Sequence, residues 1–218
     1  MHHRSHTKDF ILIPIIYFLL GYLILFLLIF PFRHTISSAI DLLFFNKPNS
    51  TEESVGNIFS TAPDISSGTI KLSSIKFPTY GARFGKVEIS SAGINADLYF
   101  GDGTDQLKNG VGVYNGSSIP GYGQTILIAG HNHTFFHTLG KAKPGDKIQI
   151  DTNYGKYVYQ IKKAQIRNAS DTSAYNLQSK KENLILYTCY PFNEIGLTAQ
   201  RYYVYADMIS GPKIDKQE

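Results

Sequence analysis

The single cysteine of this 218-residue chain, Cys189, is the side chain best suited to covalent chemistry. It follows residues 184–188, an apolar run of the kind that forms a buried strand, and Pro191 lies two residues further on. Rigid strands often expose functional groups where they end, because the strand fixes the position of the side chain. A free thiol with a pKa of about 8.5 is only a few per cent thiolate at pH 7, so Cys189 needs a neighbouring cation to act as a nucleophile.

Four side chains could supply that cation, namely His131, His133, His137 and Arg201. His131 follows a second short apolar run and so also stands at the predicted end of a strand. An imidazolium or guanidinium beside a thiol lowers the thiol pKa, and Thr188 could add a hydroxyl or a backbone N–H. Each residue also has a purely structural interpretation, as a core cysteine, a turn histidine or a surface arginine.

The three histidines could instead bind a metal ion. Their spacing, with intervals of two and four residues and no Cys, Asp or Glu close by, matches zinc sites poorly. We therefore predict no metal ligand among them. Because the chain has one cysteine, an intramolecular disulfide is excluded, and the thiol is either free and reactive, buried in a core or paired with another molecule.

Short segments of β pattern, separated by turn residues, begin at about residue 70. They are residues 86–90, 95–100, 125–129, 147–150, 156–161, 184–188 and 201–208. Several short strands at this spacing predict an all-β barrel or sandwich. Helical pattern in this part is limited to short connectors near residues 106–109 and 134–139.

The N-terminal part contains 23 consecutive residues, 10–32, without a charged side chain. A helix of that length rises about 1.5 Å per residue and would cross a hydrocarbon core of about 30 Å, so we predict a transmembrane helix. A cleavable signal would usually have a shorter apolar run, but a weak cleavage site near residues 37–39 keeps that alternative open. A buried soluble helix would show a polar face. Arg4 and Lys8 before the run balance Arg33 and Lys47 after it, so flanking charge does not set the orientation.

Composition divides the rest of the chain. Residues 1–9 precede the predicted helix, 33–69 form a predicted stalk, 70–210 a folded domain and 211–218 a tail. The stalk is assigned because its second half is rich in Asn, Ser, Thr, Pro and Gly, which bury little surface. Net charge is +4 and the pI is near 9.0, but no dense Lys/Arg block is present, so nucleic acid is not a predicted partner.

Taken together, the candidate residues resemble the motifs of the sortase family. Residues 184–189 (LILYTC) resemble the TLxTC signature at the end of its seventh strand, and residues 129–131 (AGH) resemble its histidine motif. Arg201, twelve residues after Cys189, stands where the family carries its arginine. The run Thr-Cys-Tyr-Pro-Phe and this short spacing are most similar to class D sortases. The resemblance extends over residues 85–209.

The chain departs from the family pattern at a few positions. Ile185 stands where the signature usually has Thr, and Val113 where many relatives have a histidine outside the catalytic set. Asn132 and His133 follow His131, where class D members often have Arg-Asp, and His133 could share the role of base.

The resemblance implies a closed β-barrel of about eight strands with short connecting helices, behind one N-terminal transmembrane helix. It implies that Cys189 is the nucleophile, that His131 is the general acid and base, and that Arg201 donates hydrogen bonds to the substrate or the oxyanion. The implied substrate contacts are Thr188, Tyr190 and Pro191, with further contacts from the loops within residues 163–183 and 190–200.

The implied reaction cleaves an LPxTG-like sorting signal between Thr and Gly through an acyl-thioester and transfers the protein to a cell-wall amine. The implied partners are surface proteins with C-terminal LPxTG-like sorting signals, the amine of a peptidoglycan precursor and membrane lipid. The implied location is the cell membrane of a Gram-positive-type cell, with a single pass and the catalytic domain outside. No cofactor is required, and dependence on Ca²⁺ is left open because Asp146, Asp151 and Glu194 match no calcium site.

Two other classes of protein remain as alternatives. Papain-like peptidases place Cys before His in the chain and at the start of a helix, whereas here His precedes Cys. L,D-transpeptidases need a Ser-His-Gly-Cys run, which is absent from the sequence. A non-catalytic, membrane-tethered β-domain that binds a ligand is the second class, because a fold alone does not guarantee activity.

Overall fold

The computed structural model describes residues 7–29, 57–194, 196 and 198–216. The chain divides into two compact units, Met1–Asn49 and Ser50–Glu218. In the first unit one helix, α1 (Thr7–Ile29), contains Pro14, and its side chains over residues 12–28 are exposed. Within the described residues, no helix combines the length and the apolarity that crossing a membrane requires. The structure thus does not confirm the transmembrane helix predicted over residues 10–32, and residues 30–32 lie outside the described part.

The second unit consists mostly of strands. The described strands are β1 (Thr69–Lys71), β2 (Arg83–Ile89), β3 (Ile94–Phe100), β4 (Val111–Val113), β5 (Thr125–Ala129), β6 (Lys147–Thr152), β7 (Gly155–Asn168), β8 (Asn183–Tyr190), β9 (Gln200–Ser210) and β10 (Lys213–Asp215). A short helix, α2 (Thr104–Asn109), and 3₁₀ turns at Leu72–Ser74, Ser90–Ala92, Leu139–Lys141 and Thr172–Ala174 connect them.

Eight of these strands close into a barrel in the order β2-β3-β4-β5-β8-β9-β7-β6. Neighbouring barrel strands run antiparallel except for two parallel pairs, β3–β4 and β5–β8, while β1 and β10 form a separate parallel pair. The predicted closed barrel of about eight strands is therefore confirmed, and a sandwich is excluded. Residues 134–138 form turns instead of the predicted helical connector, and a 3₁₀ turn begins only at Leu139.

Strand β8 is buried on both faces. Leu184 and Leu186 point into the barrel and have no exposed surface. Ile185 points outward and joins a second apolar cluster that includes Leu127 and Tyr203. Burial on both faces explains why this strand is a nearly continuous apolar run rather than an alternating one.

Part of the predicted stalk contacts the barrel. The Ile58 N–H donates to Arg83 O at 3.0 Å, and the Arg83 guanidinium lies 5.3 Å from the ring centroid of Phe59, which is 5% exposed. The boundaries placed after residues 9, 32, 69 and 210 stay predictions, and residues 33–56 lie outside the described part.

Candidate active site

The parallel pair β5–β8 brings His131 and Cys189 to the same end of the barrel. Its five Cα pairs keep a constant separation of 58 positions in the sequence, and the last pair is Ala129 opposite Tyr187. His131 and Cys189 are also 58 positions apart, and each lies two residues beyond that last pair. His131 just after β5 and Cys189 near the end of β8 therefore lie at the same edge of the sheet.

Two hydrogen bonds hold the residue before His131 against the strand that carries Cys189. The Gly130 N–H donates to Tyr187 O at 3.2 Å, and Thr188 Oγ1 donates to Gly130 O at 2.7 Å. Thr188 is 2% exposed, and its hydroxyl is committed to this bond. Its contact with substrate, implied by the resemblance, stays a prediction.

The antiparallel pair β8–β9 places Arg201 directly opposite Cys189. Directly opposed residues project to the same face of a sheet, with Cβ atoms about 4.5–5.5 Å apart. Because side chains alternate along a strand, Cys189 shares the outer face of the barrel with Tyr187. Arg201 Nη1 donates to Thr198 O at 2.8 Å and to Gln200 O at 2.9 Å, so the guanidinium is held against the turn that precedes β9.

The residues after Cys189 form an aromatic cluster. The free thiol of Cys189 is half-buried, and the peptide bond between Tyr190 and Pro191 is cis. The Tyr190 ring centroid lies 6.2 Å from that of Tyr202 and 5.7 Å from that of Phe192. Tyr190 and Pro191, the remaining predicted substrate contacts, are partly exposed directly beside the thiol.

Burial and a second imidazole both act on His131. The rings of His131 and His133 stack with centroids 5.1 Å apart and an interplanar angle of 23°. Burial lowers the pKa of His131, and the charge of His133 lowers it further. Burial and then the charge of His137 lower the pKa of His133 in the same way. The site therefore favours a neutral imidazole at His131.

Asn132 is a residue of the site whose contacts could not be seen in the sequence. It is 3% exposed, and its Nδ2 donates to Pro191 O at 2.9 Å and to Glu194 O at 2.8 Å. Its Oδ1 lies 3.4 Å from His133 Nδ1. In the sequence it was noticeable only as a departure from the family pattern beside His131.

A row of tyrosines on the outer face of β8 and β9 leads away from the thiol. The rings of Tyr187, Tyr203 and Tyr205 stack in that order, with centroids 5.8 Å and 6.1 Å apart. Burial raises the pKa of Tyr187 above its usual range, and the charge of Asp102 raises it further. Asp102 also accepts a hydrogen bond from the Tyr187 hydroxyl. Ala174, in the loop between β7 and β8, packs with this cluster. The sequence analysis expects substrate contacts from that loop but does not predict the row of tyrosines. The alternation of tyrosines along β9 is the signal that could have indicated it.

The described residues contain no cluster of three or more His, Cys, Asp and Glu side chains that could hold a metal ion. Asp146 accepts hydrogen bonds from the Lys143 N–H and from Ser91 Oγ, which lower the pKa of its carboxyl group. Asp151 accepts from Gln149 Nε2. These two acids thus have partners within the protein, and dependence on Ca²⁺ stays untested.

A closed barrel that carries a cysteine, a histidine and an arginine at neighbouring strand ends is the framework of a cysteine-dependent transpeptidase. Residues 87–209 match the family model of the sortase domain. The chain belongs to the sortase family, whose members are cysteine transpeptidases that act on surface proteins carrying sorting signals. The family is associated with the cell surface of Gram-positive bacteria.

Several relatives share much of the sequence and fold. The chain is 38% identical to Sortase D of Bacillus subtilis strain 168 over 135 residues, which are 61% of this chain and 67% of that protein. It is 25% identical to a Clostridium perfringens Sortase D5 transpeptidase, with a TM-score of 0.54 over 60% of this chain and 81% of the other. Sortase C of Streptococcus pneumoniae is 26% identical, with a TM-score of 0.54 over 58% and 68%. The similarity to sortases of type D agrees with the class D motif.

Proposed function

We propose that this sortase is membrane-anchored, cleaves an LPxTG-like sorting signal between Thr and Gly, and joins the acyl fragment to an amine of a cell-wall precursor. The observation that carries the proposal is the arrangement of His131, Cys189 and Arg201. His131 lies two residues after the end of β5, Cys189 lies at the equivalent position near the end of the parallel strand β8, and Arg201 is paired with Cys189 across β8 and β9.

In the first half of the proposed reaction, the Cys189 thiolate attacks the carbonyl carbon of the threonine. The developing oxyanion accepts a hydrogen bond from Arg201, whose position opposite Cys189 suits this role. The C–N bond to glycine then breaks, and the His131 imidazolium donates its proton to the departing amine. The products are an acyl-thioester on Cys189, a neutral His131 and the released C-terminal fragment.

In the second half, the precursor amine attacks the thioester carbonyl. Neutral His131 accepts a proton from that amine, and the C–S bond breaks to release the Cys189 thiolate. A new amide joins the surface protein to the precursor. The enzyme returns to the thiolate–imidazolium state in which it began, so no cofactor or external oxidant is needed for the cycle.

The reactive state is a minority form in this proposal. Burial and the charge of His133 lower the pKa of His131, so protonated His131 beside a thiolate is populated only in a fraction of molecules near neutral pH. Arg201 stays charged throughout this range and supports the thiolate electrostatically.

The membrane location belongs to the same proposal. Its support is the run of 23 residues without a charged side chain and the exposed apolar side chains of residues 12–28. Substrates that carry sorting signals and the cell-wall amine would then meet the catalytic domain at the outer surface of the membrane.

The test uses the full chain in detergent micelles, incubated with a panel of LPxTG-like peptides and an amine acceptor. Mass spectrometry should detect a thioester on Cys189 and a new amide between the threonine and the acceptor. Without the acceptor, the thioester should accumulate or be hydrolysed slowly.

The matched control is Cys189→Ala, which should give neither adduct nor product while its thermal unfolding stays close to that of the wild type. Product formation by Cys189→Ala would contradict the proposed nucleophile. The absence of an adduct with every peptide of the panel would contradict the proposed substrate class.

A further inference from the structure

Asn132 is placed to fix the geometry of the catalytic pair. Ladder pairing between β5 and β8 ends at Ala129, so the position of His131 relative to Cys189 depends on contacts made beyond the ladder. Gly130 supplies such contacts on one side of His131, through its bonds with Tyr187 and Thr188. Asn132 supplies them on the other side.

The chemistry of the Asn132 side chain defines its orientation. Its two acceptors, Pro191 O and Glu194 O, are carbonyl oxygens, so the group that faces them must be the NH₂, with both of its protons donated. Burial makes these bonds valuable, because a buried amide that loses its partners is not compensated by water. Both acceptors belong to the segment that follows Cys189.

The remaining polar atoms of Asn132 hold the other histidines. Oδ1 can only accept, so His133 Nδ1, 3.4 Å away, is the donor. The main-chain oxygen likewise accepts from His137 Nδ1 at 3.3 Å. His133 in turn stacks on His131. One buried amide therefore connects the exit from the cysteine strand, the turn after β5 and the ring that covers His131.

We infer that Asn132 is the positioning residue of this active site, which clamps the turn carrying His131 to the segment after Cys189 and so sets the separation of imidazole and thiol. This inference rests on the proposed function. It concerns orientation and not contact with substrate, so the loss of Asn132 should lower the rate of the chemical step more than the affinity for peptide.

The test compares Asn132→Ala and Asn132→Leu with the wild type in the full chain. Alanine removes both donors, and leucine also removes them but keeps the approximate size of the side chain and adds no charge, so the test stands if the alanine variant fails to fold. A misplacement on the order of 1 Å can cost up to about 100-fold, and we expect kcat to fall at least about tenfold while KM changes less than about threefold.

The chain offers a matched control at the other end of the barrel, in the hairpin between β6 and β7. Thr152 has no exposed surface, and its Oγ1 donates to Gly155 O at 2.9 Å and accepts from the Gly155 N–H at 3.0 Å. Thr152→Val should lower the thermal unfolding temperature but leave kcat within about twofold, because the bonds it removes are remote from the thiol. A fall in kcat no larger for the Asn132 variants than for Thr152→Val would overturn the inference, as would a loss confined to KM.

A second readout needs no peptide. The rate of alkylation of Cys189 by iodoacetamide at pH 7 follows its thiolate population, which depends on the nearby imidazolium. The rate should fall in both Asn132 variants and stay unchanged in Thr152→Val. An unchanged rate in the Asn132 variants would overturn the positioning role even if no peptide were accepted, so this inference and the proposed substrate class can fail separately.

Discussion

The environment of His131 and its proposed role favour opposite protonation states of its imidazole ring. Its proposed function requires the imidazolium, whereas burial and the neighbouring His133 lower its pKa and favour the neutral ring. Arg201, which is paired with Cys189 across β8 and β9, contributes no proton to this equilibrium. The protonation of this pair is therefore set by a few neighbours that can be changed one at a time.

The first prediction concerns His133. Replacing it in His133→Gln removes the positive charge that lowers the pKa of His131, while the burial of His131 remains. The pKa of His131 should therefore rise, and more molecules should hold the imidazolium beside a thiolate. Because His131 is the group of lower pKa in the minority-state mechanism, the acid limb of the pH profile of kcat/KM should move to higher pH, and the maximum should increase.

His137→Gln provides the control for this prediction. The charge of His137 acts on His133 and not directly on His131, so its removal should move the acid limb less. An acid limb that stays in place or moves to lower pH in His133→Gln would show that His133 does not act on His131 in this way.

At the scale of the elements, Glu182 links the start of β8 to the loop before β5. Oε1 accepts from the Gly121 N–H at 3.0 Å and from the Tyr159 hydroxyl at 2.6 Å, and Oε2 accepts from the Gly123 N–H at 2.9 Å. Gly121 and Gly123 have φ values of +85° and +88°, in the region that favours glycine. The carboxylate thus holds the N–H groups of both glycines of this loop through charge-assisted hydrogen bonds.

We predict that Glu182→Gln destabilises the domain. Glutamine has one oxygen that can accept a hydrogen bond, whereas its NH₂ group cannot accept one. At least one of the three donors would therefore face the NH₂ group and lose its acceptor. A buried donor without a partner costs about 1–3 kcal/mol, and each kcal/mol lowers Tm by about 2–4 °C in a domain of this size. Thermal unfolding followed by circular dichroism measures the shift.

Glu88→Gln is the matched control for the loop anchor. Glu88 is exposed on β2 and accepts one bond, from Ser90 Oγ at 2.7 Å. Its substitution should change Tm very little, because surface changes of this kind usually stay within about 0.5 kcal/mol. Equal shifts for the two variants would mean that Glu182 contributes no more than an ordinary surface carboxylate.

The strands could be predicted wherever their burial pattern is regular. β5 was predicted with the bounds that the structure has, and β8 extends its prediction from residues 184–188 to Asn183–Tyr190. β7 was predicted only to residue 161, because the register shifts between Ile161 and Lys163 and the alternation is lost there. β1, β4 and β10 are three residues each, too short for any period to be recognised.

The residues of the candidate site could be predicted where they belong to short sequence motifs. His131, Cys189 and Arg201 stand in short runs with defined spacing, so the family resemblance could place them. The partners of Asn132 lie 59 and 62 positions away, and only the closed barrel brings them together. A sequence pattern contains no information on such contacts, and the same holds for the stacking of Tyr187 on Tyr203 across β8 and β9.

At the scale of the whole molecule, the two units place their apolar residues in opposite ways. In the second unit these side chains fill the barrel interior, where many have no exposed surface. In the first unit the apolar side chains of residues 12–28 are exposed on all sides of the helix. Exposed apolar surface of that extent is unfavourable in water, which is why we propose that this helix lies in lipid.

The last prediction tests that location. The full chain, expressed in a Gram-positive host, should stay with the membrane pellet through an alkaline carbonate wash and be released only by detergent. The matched variant is Leu20→Lys combined with Leu23→Lys, which keeps the length of the chain. A lysine at the centre of a spanning helix costs about 2.5–3.5 kcal/mol, so the double variant should be released by the wash. Such a wash disrupts peripheral binding but does not extract a spanning helix. Release of the wild-type chain by the wash alone would therefore exclude a spanning helix, and the barrel would then be held at the membrane surface by weaker contacts.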